Sequence, residues 1–375
     1  MHIPDNYLSP QTCAVMTAVM IPVWGISVRR VRSFLWSEEN ACGGTNDGRS
    51  AIGGQASGAG KQLPMLGVAA AFSFLGMMFN IPLPGGTTGH AVGATLLALL
   101  VGPHGACISI SVALLLQALL FGDGGVLAFG ANCFNMAFVM PFVGYGVYRL
   151  LAGKRESRKQ ESEGPGSKGR LGSEKTGSER RRLAAAGIGA YVGLNAGALC
   201  AAIEFGIQPM LFRDASGAAS YCPYPLSVSV PAMMAGHLTV FGLAEVVYTL
   251  MVYAFLTGTA GTRTAASSGT MPSAQGQGRA DVLLALLAVL TPFGLLAEGT
   301  AWGEWSADEI ASTGAGYTPS GMASGFSFEA LLPDYSLGGM PQAVGYLLSA
   351  VLGVAILLIL FKLAAGFRAG KEKRH

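Results

Sequence analysis

Apolar runs long enough to cross a hydrocarbon core recur along the whole of this 375-residue chain, and nothing else constrains its fold as tightly. A helix needs about 20 such residues to span a bilayer. The runs predict about nine spans, near 10–35, 64–81, 88–102, 105–121, 124–150, 183–206, 229–256, 280–298 and 342–365, with the third and fourth short and poorly separated. Charged residues make up 12% of the chain, against roughly 25% in soluble domains. A soluble globular fold is therefore set aside, as is any reading of the net charge of +3 as a nucleic-acid footprint. The expected fold class is all-α, a polytopic transmembrane helical bundle.

Three connections, residues 36–63, 152–182 and 257–279, are rich in Gly, Ser, Lys, Arg and Glu. That composition buries too little apolar surface to order itself, and no helix is expected through KRESRKQESEGPGSKGRLGSEK. The chain thus divides into a membrane domain, 1–256, a flexible linker, 257–279, and a two-span extension, 280–375, around an acidic loop, 299–341. Threaded with the amino terminus outside and the carboxy terminus inside, the spans put all but Arg213 of the 24 Lys and Arg on the inner side. Asp5, Asp123, Asp214, Glu304, Asp308, Glu309, Glu329 and Asp334 gather outside. Basic inner loops are the usual rule for membrane proteins, and an acidic outer face concentrates cations. The six cysteines show no CxxC spacing and read as packing residues. MHIPDNYLSP lacks a basic leader region and arginines follow the first apolar run, so the mature chain is expected to start at Met1.

In Met-His, the α-amine, the amide nitrogen of residue 2 and Nδ1 of His2 can close a five- and a six-membered chelate ring around one metal ion. Such a set is planar. Once the amide deprotonates, it suits Ni(II), Cu(II) or low-spin Co(II) better than Zn(II), which prefers tetrahedral sites. His90 is the best candidate for a fourth in-plane donor, because NIPLPGGTTGH places it at a helix start whose Gly- and Pro-rich approach lets backbone come close. Taken alone, His2 also reads as an ordinary residue at a frayed terminus and His90 as a hydrogen-bonded loop histidine.

His237 and Glu245 lie on one span about 80° apart around the helix. His237 could hydrogen-bond to a metal ligand, or pair with Glu245 or a backbone carbonyl. Asn80, Asn132 and Asn135 each need a partner in lipid; Asn80 is expected beside the metal ligands, the other two in packing. Glu298, Glu304, Asp308, Glu309 and Asp334 could gather cations, although a solvated acidic loop is the favoured reading. His104 and His375 receive no role.

At MHIPDNYLSP, FNIPLPGGTTGHAVGATLLALLVGP, LLLQALLFGDGGVLAFGANCFNMAFV and AGHLTVFGLAEVVYT the chain closely resembles the CbiM/NikM family. These are the membrane substrate-binding components of energy-coupling-factor transporters for cobalt and nickel. The resemblance covers most of residues 1–256. It implies a metal-binding membrane domain in the cell membrane, a Met1/His2 chelate closed by the histidine after the PGGT stretch, here His90, and Co2+ or Ni2+ as the transported substrate. Two departures stand out. Asn6 occupies a position where the family usually has Gly, which predicts a slightly different turn with no ligand lost, and three long polar inner loops lengthen the chain. Residues 298–365, with EGTAWGEW, PSGM and LLPDYSLGG, resemble the extension of family members that carry a small accessory membrane subunit-like part. Ala14 and Ala18 form a small-xxx-small pair, which the resemblance implies is of the kind that docks a coupling subunit.

No Walker A sequence is present: GAGKQ, residues 58–62, has Gln62 where Ser or Thr would hold magnesium. The chain is therefore read as no enzyme, and the resemblance implies a membrane coupling (T) subunit and cytoplasmic ATPase subunits as partners, in a lipid bilayer and without nucleic acid. A rival reading is a self-sufficient divalent metal/proton antiporter or channel, with Glu204, Glu245 and His237 as its pathway. An intramembrane metalloenzyme is disfavoured, since there is no HExxH and four nitrogens in a plane leave no easily opened equatorial position. Cobalt and nickel both accept planar nitrogen donors, so the sequence leaves that choice open.

Overall fold

Glycine and proline decide where one of these apolar helices bends. The structure, a computed structural model, describes residues 1–42, 58–83, 87–152, 170–257, 274–297 and 300–372. Helices α1 (Pro10–Cys42) and α2 (Gly58–Met78) lead into an antiparallel pair of short strands, β1 (Ile81–Leu83) and β2 (Thr87–Gly89), in which Ile81 faces Gly89. Then follow α3 (Ala94–Leu116), α4 (Phe129–Asn132), α5 (Met140–Ala152), α6 (Arg170–Leu211), α7 (Leu226–Gly236) and α8 (Gly242–Thr257). The extension contains α9 (Ala274–Leu290), two short helices, α10 (Ala307–Ile310) and α11 (Ser320–Ala323), and α12 (Gln342–Glu372). π-Helical turns lengthen α3 (Gln117–Phe121), join α4 to α5 (Cys133–Val139) and join α7 to α8 (His237–Phe241). Among the described residues six helical stretches are long and apolar enough to cross a membrane, and the chain is a multi-pass membrane protein.

The stretch Ala94–Phe121 is 28 residues long and would extend about 42 Å if straight. It is not straight. Gly102 leaves the helical region, with φ 77° and ψ 159°, and Pro103 follows it. The first leg starts at the level of Ser73, whose hydroxyl donates to the Val92 carbonyl at 2.8 Å. Past Gly102, a Cβ on Gly105 would stand 3.2 Å from Leu66. The second leg then climbs beside α2 until Phe121 meets Phe74, ring centroids 5.7 Å apart. Both ends of the stretch thus return to one end of the bundle. The third expected span, 88–102, is accordingly corrected: its first residues belong to β2 and to an extended passage, and only a half-helix of about 12 Å follows from Ala94 to Val101.

Extended backbone at membrane depth needs partners within the protein. Glu245 of α8 supplies them: one carboxylate oxygen accepts the N–H groups of Val92 at 2.8 Å and Gly93 at 3.0 Å. Gly93 has φ 70°, the left-handed turn that feeds the half-helix. Glu245 therefore holds the start of the half-helix, with no hydrogen bond to His2 or His90 among the described residues.

Helix α6 begins at Arg170 and α1 continues to Cys42, inside the runs expected to be unstructured. Extending an existing helix needs no new nucleus, and Arg, Leu, Glu and Lys favour that state. The rest of the three connections, residues 43–57, 153–169 and 258–273, lies outside the described residues, as do Glu298 and His375.

Where α5 and α6 cross, a Cβ on Gly189 would stand 2.6 Å from the Gly144 carbonyl oxygen, and one on Gly193 2.7 Å from that of Met140. Small residues allow such approach between helices in lipid, where dispersion rather than water drives packing. Gly189→Val is expected to lower stability in detergent by about 1–3 kcal/mol, seen as a reduced Tm. An unchanged Tm would show that the two backbones do not meet there.

Candidate metal centre

The first residues are threaded into the bundle end to which α3 returns. Met1, His2 and Ile3 are at most 5% exposed. An asparagine side chain offers a donor and an acceptor on one edge, and Asn132 uses both on Ile3: the Ile3 N–H donates to Oδ1 at 2.7 Å, and Nδ2 donates to the Ile3 carbonyl at 3.0 Å. The Asp5 carboxylate accepts the N–H groups of Val126, Leu127 and Ala128 at 2.7–3.2 Å. Asn6 has φ 65°, a left-handed turn that Gly or Asn adopts with least strain. Its amide also pairs with the backbone of Phe326 in both directions, a link glycine could not make.

This threading brings the donors together. His2 Nδ1 lies 3.1 Å from His90 Nε2 and 3.1 Å from an Asp123 carboxylate oxygen. Two nitrogens in adjacent positions around one ion, each about 2.0 Å from it, stand about 2.8 Å apart. The imidazoles are thus nearly spaced for a shared ion. The Met1 ammonium donates to Glu304 Oε1 at 2.5 Å, and His2, His90 and Glu304 offer ligand atoms all within 4.8 Å of one another. Beside them a cavity of about 350 Å³ is bounded by Asn80, Asp123, Glu304 and Asp334.

Electrostatics favour neutral ligands. Burial, reinforced by the adjacent terminal ammonium and opposed by Glu304, lowers the His2 imidazole to about 4. Burial and the same ammonium hold His90 well below the usual histidine range. Metal ligation requires unprotonated imidazole, so neither ring must first lose an imidazolium proton near neutrality. Burial raises the Asp123 carboxyl, against hydrogen bonds from Tyr335 and Gln117.

The other candidates separate. His237 Nδ1 bonds the Met233 carbonyl at 2.8 Å and its ring meets Phe241 edge-on, the backbone-carbonyl alternative. Phe241 packs where a Cβ on Gly89 would be, so this π-helical turn supports the loop before His90. Asn80 lines the cavity, with no hydrogen bond to His2 or His90 among the described residues. Asn132, expected in packing, anchors Ile3. Asn135 donates to Glu204 at 2.9 Å. Asp308 and Glu309 are exposed, as a solvated loop would have them, but Glu304 is not, and its role was missed. The AWGEW stretch marks it only weakly, because no local spacing links a residue to a partner 303 positions away.

The family described as the cobalt uptake substrate-specific transmembrane region matches residues 2–41 and 51–262, and the PDGLE domain matches 280–368. A relative from Lactiplantibacillus plantarum, named probable fused nickel transport protein LarMN, is 46% identical over 96% of this chain and 97% of its own. The fused nickel transport protein NikMN of Rhodobacter capsulatus is 42% identical over 98% of each. A crystal structure of a truncated transition metal transporter is 45% identical, covers 69% of this chain and 99% of its own, and superposes with a TM-score of 0.52.

The lowered His2 value carries a stability consequence. An unfolded chain binds a proton at this imidazole below about 6.5, the folded chain only below about 4, so stability is fully present above the first value and is lost as pH falls toward the second. The Tm of metal-free protein is expected to fall across that window, less steeply in His2→Asn. Equal slopes would show that the ring is not buried.

Proposed function

The chain belongs to the CbiM family of cobalt-uptake substrate-specific transmembrane proteins, and from that premise we propose that it is the specificity component of an ATP-driven uptake transporter for Co2+ or Ni2+. The ion is captured by the Met1 amine, the amide nitrogen and Nδ1 of His2, and Nε2 of His90. The observation that carries this reading is the 3.1 Å approach of the two imidazole nitrogens within a buried pocket that also holds the terminal amine.

Without an ion, Glu304 holds the ammonium and Asp123 faces the Nδ1–H of His2. Binding must displace a proton from the amine and one from the His2 amide, and shift the ring proton of His2 from Nδ1 to Nε2. Two carboxylates then remain beside the ion and offset its charge. Planar coordination by four nitrogens favours Ni(II) and low-spin Co(II) over Zn(II).

In this reading the site faces outward and about nine membrane passages, counting the half-helix, bring the carboxy terminus inside. The contacts of α12 support the parity: the Tyr346 hydroxyl donates to the Met78 carbonyl near the site, whereas Phe361 packs on Gly67 toward the other end of α2. Energy comes from a coupling subunit and ATPase partners, since the chain carries no Walker A sequence. Helix α1, with Val15, Val19 and Ile21 exposed, leaves an apolar face for lipid or for the coupling subunit. The antiporter pathway gains less support, because Glu204, Glu245 and His237 are each engaged by a different partner.

Adding one residue before Met1, or His2→Ala, is expected to abolish nickel or cobalt binding by purified protein. His90→Ala should weaken binding by more than the 10–100-fold typical of losing a partner of a ligand. Metal analysis and equilibrium titration check both, and full affinity in the extended protein would refute the chelate.

A further inference from the structure

The loop before α12 contains two consecutive residues in the left-handed region, Asp334 at φ 53° and Tyr335 at φ 57°, and neither is glycine. Such a conformation persists only where the surroundings over-determine it, and an observed outlier of this kind points toward function. Here the surroundings do so. The Leu332 N–H donates to the Leu120 carbonyl at 2.7 Å, the Ser349 hydroxyl donates to the Tyr335 carbonyl at 3.0 Å, and the Tyr335 ring stacks on Phe121 with centroids 4.6 Å apart. These contacts drive a side chain of the extension, 6% exposed, into the membrane domain.

The hydroxyl at its tip meets Asp123. Tyr335 donates to one Asp123 oxygen at 2.5 Å, and Gln117 Nε2 donates to the Tyr335 hydroxyl at 2.9 Å and to the same Asp123 oxygen at 3.0 Å. The other Asp123 oxygen is the one 3.1 Å from His2 Nδ1. A continuous hydrogen-bonded line therefore runs from the extension to the imidazole of the chelate.

Resting on the chelate reading, we infer that Tyr335 is a positioning residue: it fixes the Asp123 carboxylate against His2, so that the segment beyond residue 280 controls how long the ion is held. The hydroxyl, with Gln117 on the same oxygen, leaves Asp123 one orientation, with its free oxygen toward Nδ1. Without that bond the carboxylate can rotate into the adjoining cavity, and the negative charge beside the bound ion is no longer fixed. Partners of metal ligands tune affinity by roughly 10–100-fold, and Tyr335 acts one bond further out.

The test uses the full chain loaded with Ni2+, with release followed by an excess of chelator. Tyr335→Phe keeps the ring on Phe121 and removes only the hydroxyl, and is expected to release nickel about tenfold faster, with a small fall in the Tm of metal-free protein from the hydrogen bonds lost. Asp123→Asn should also release faster, and adding Tyr335→Phe to it should change the rate less than about twofold. That non-additivity distinguishes positioning through Asp123 from a general loosening of the fold. Equal rates in wild type and Tyr335→Phe, both loaded, or full additivity in the double variant, would overturn the role of Tyr335 and leave the chelate standing. A wild type that takes up neither Ni2+ nor Co2+ would overturn both.

Discussion

An ammonium and an imidazole are buried together at one end of the bundle, and the surrounding structure is organised by what that burial costs. Withdrawing a charged group from water costs several kcal/mol unless it is paired and hydrogen-bonded. Glu304 pairs with the amine at 2.5 Å, Asp123 and His90 approach Nδ1 of His2 at 3.1 Å, Asn132 secures the backbone of Ile3, and the Asp5 carboxylate ties the terminus to the backbone of Val126, Leu127 and Ala128. Each partner comes from a different part of the chain. The terminus is held by the loop after α3, by α4 and by the extension, and it cannot move without disturbing all three.

The second constraint is the path of the chain to His90. A helix running straight into the membrane from β2 would carry the imidazole away on a helical surface. Instead residues 90–92 pass through the site outside any helix, Gly93 turns left-handed, and the helix starts only at Ala94. Glu245 makes this tolerable by accepting two backbone N–H groups that would otherwise be unpaired at depth. Gly102 and Pro103 then turn the chain back, so that Asp123 arrives beside His2. The short strands, the half-helix and the buried glutamate thus serve the placement of two side chains, His90 and Asp123, beside the imidazole of His2.

Much of this was legible in the sequence, for a physical reason. Lipid forces apolar length into helices, so the bundle could be read from the runs alone, and the break near Gly102 showed itself as two short, poorly separated spans. The start of the half-helix was placed too early because TTGHAV, although polar and carrying a glycine, runs directly into the apolar stretch GATLLALLV. His2 and His90 stood out by residue type and by the chelate geometry of a terminal Met-His. Glu304, Asp123 and Tyr335 did not, since their contacts lie far along the chain and leave no periodic trace; the loop that carries two of them looked like solvated acid. Asn132 was read as packing because an asparagine that mimics a strand edge cannot be told from sequence.

The central claim is that one divalent ion sits in a plane of four nitrogens supplied by Met1, His2 and His90. X-ray absorption at the nickel edge of the loaded full chain tests it most directly. A strong pre-edge feature of a square-planar ion, with a single shell of nitrogen scatterers and histidine outer-shell scattering, is the predicted result; six-coordinate nickel dominated by oxygen would contradict it.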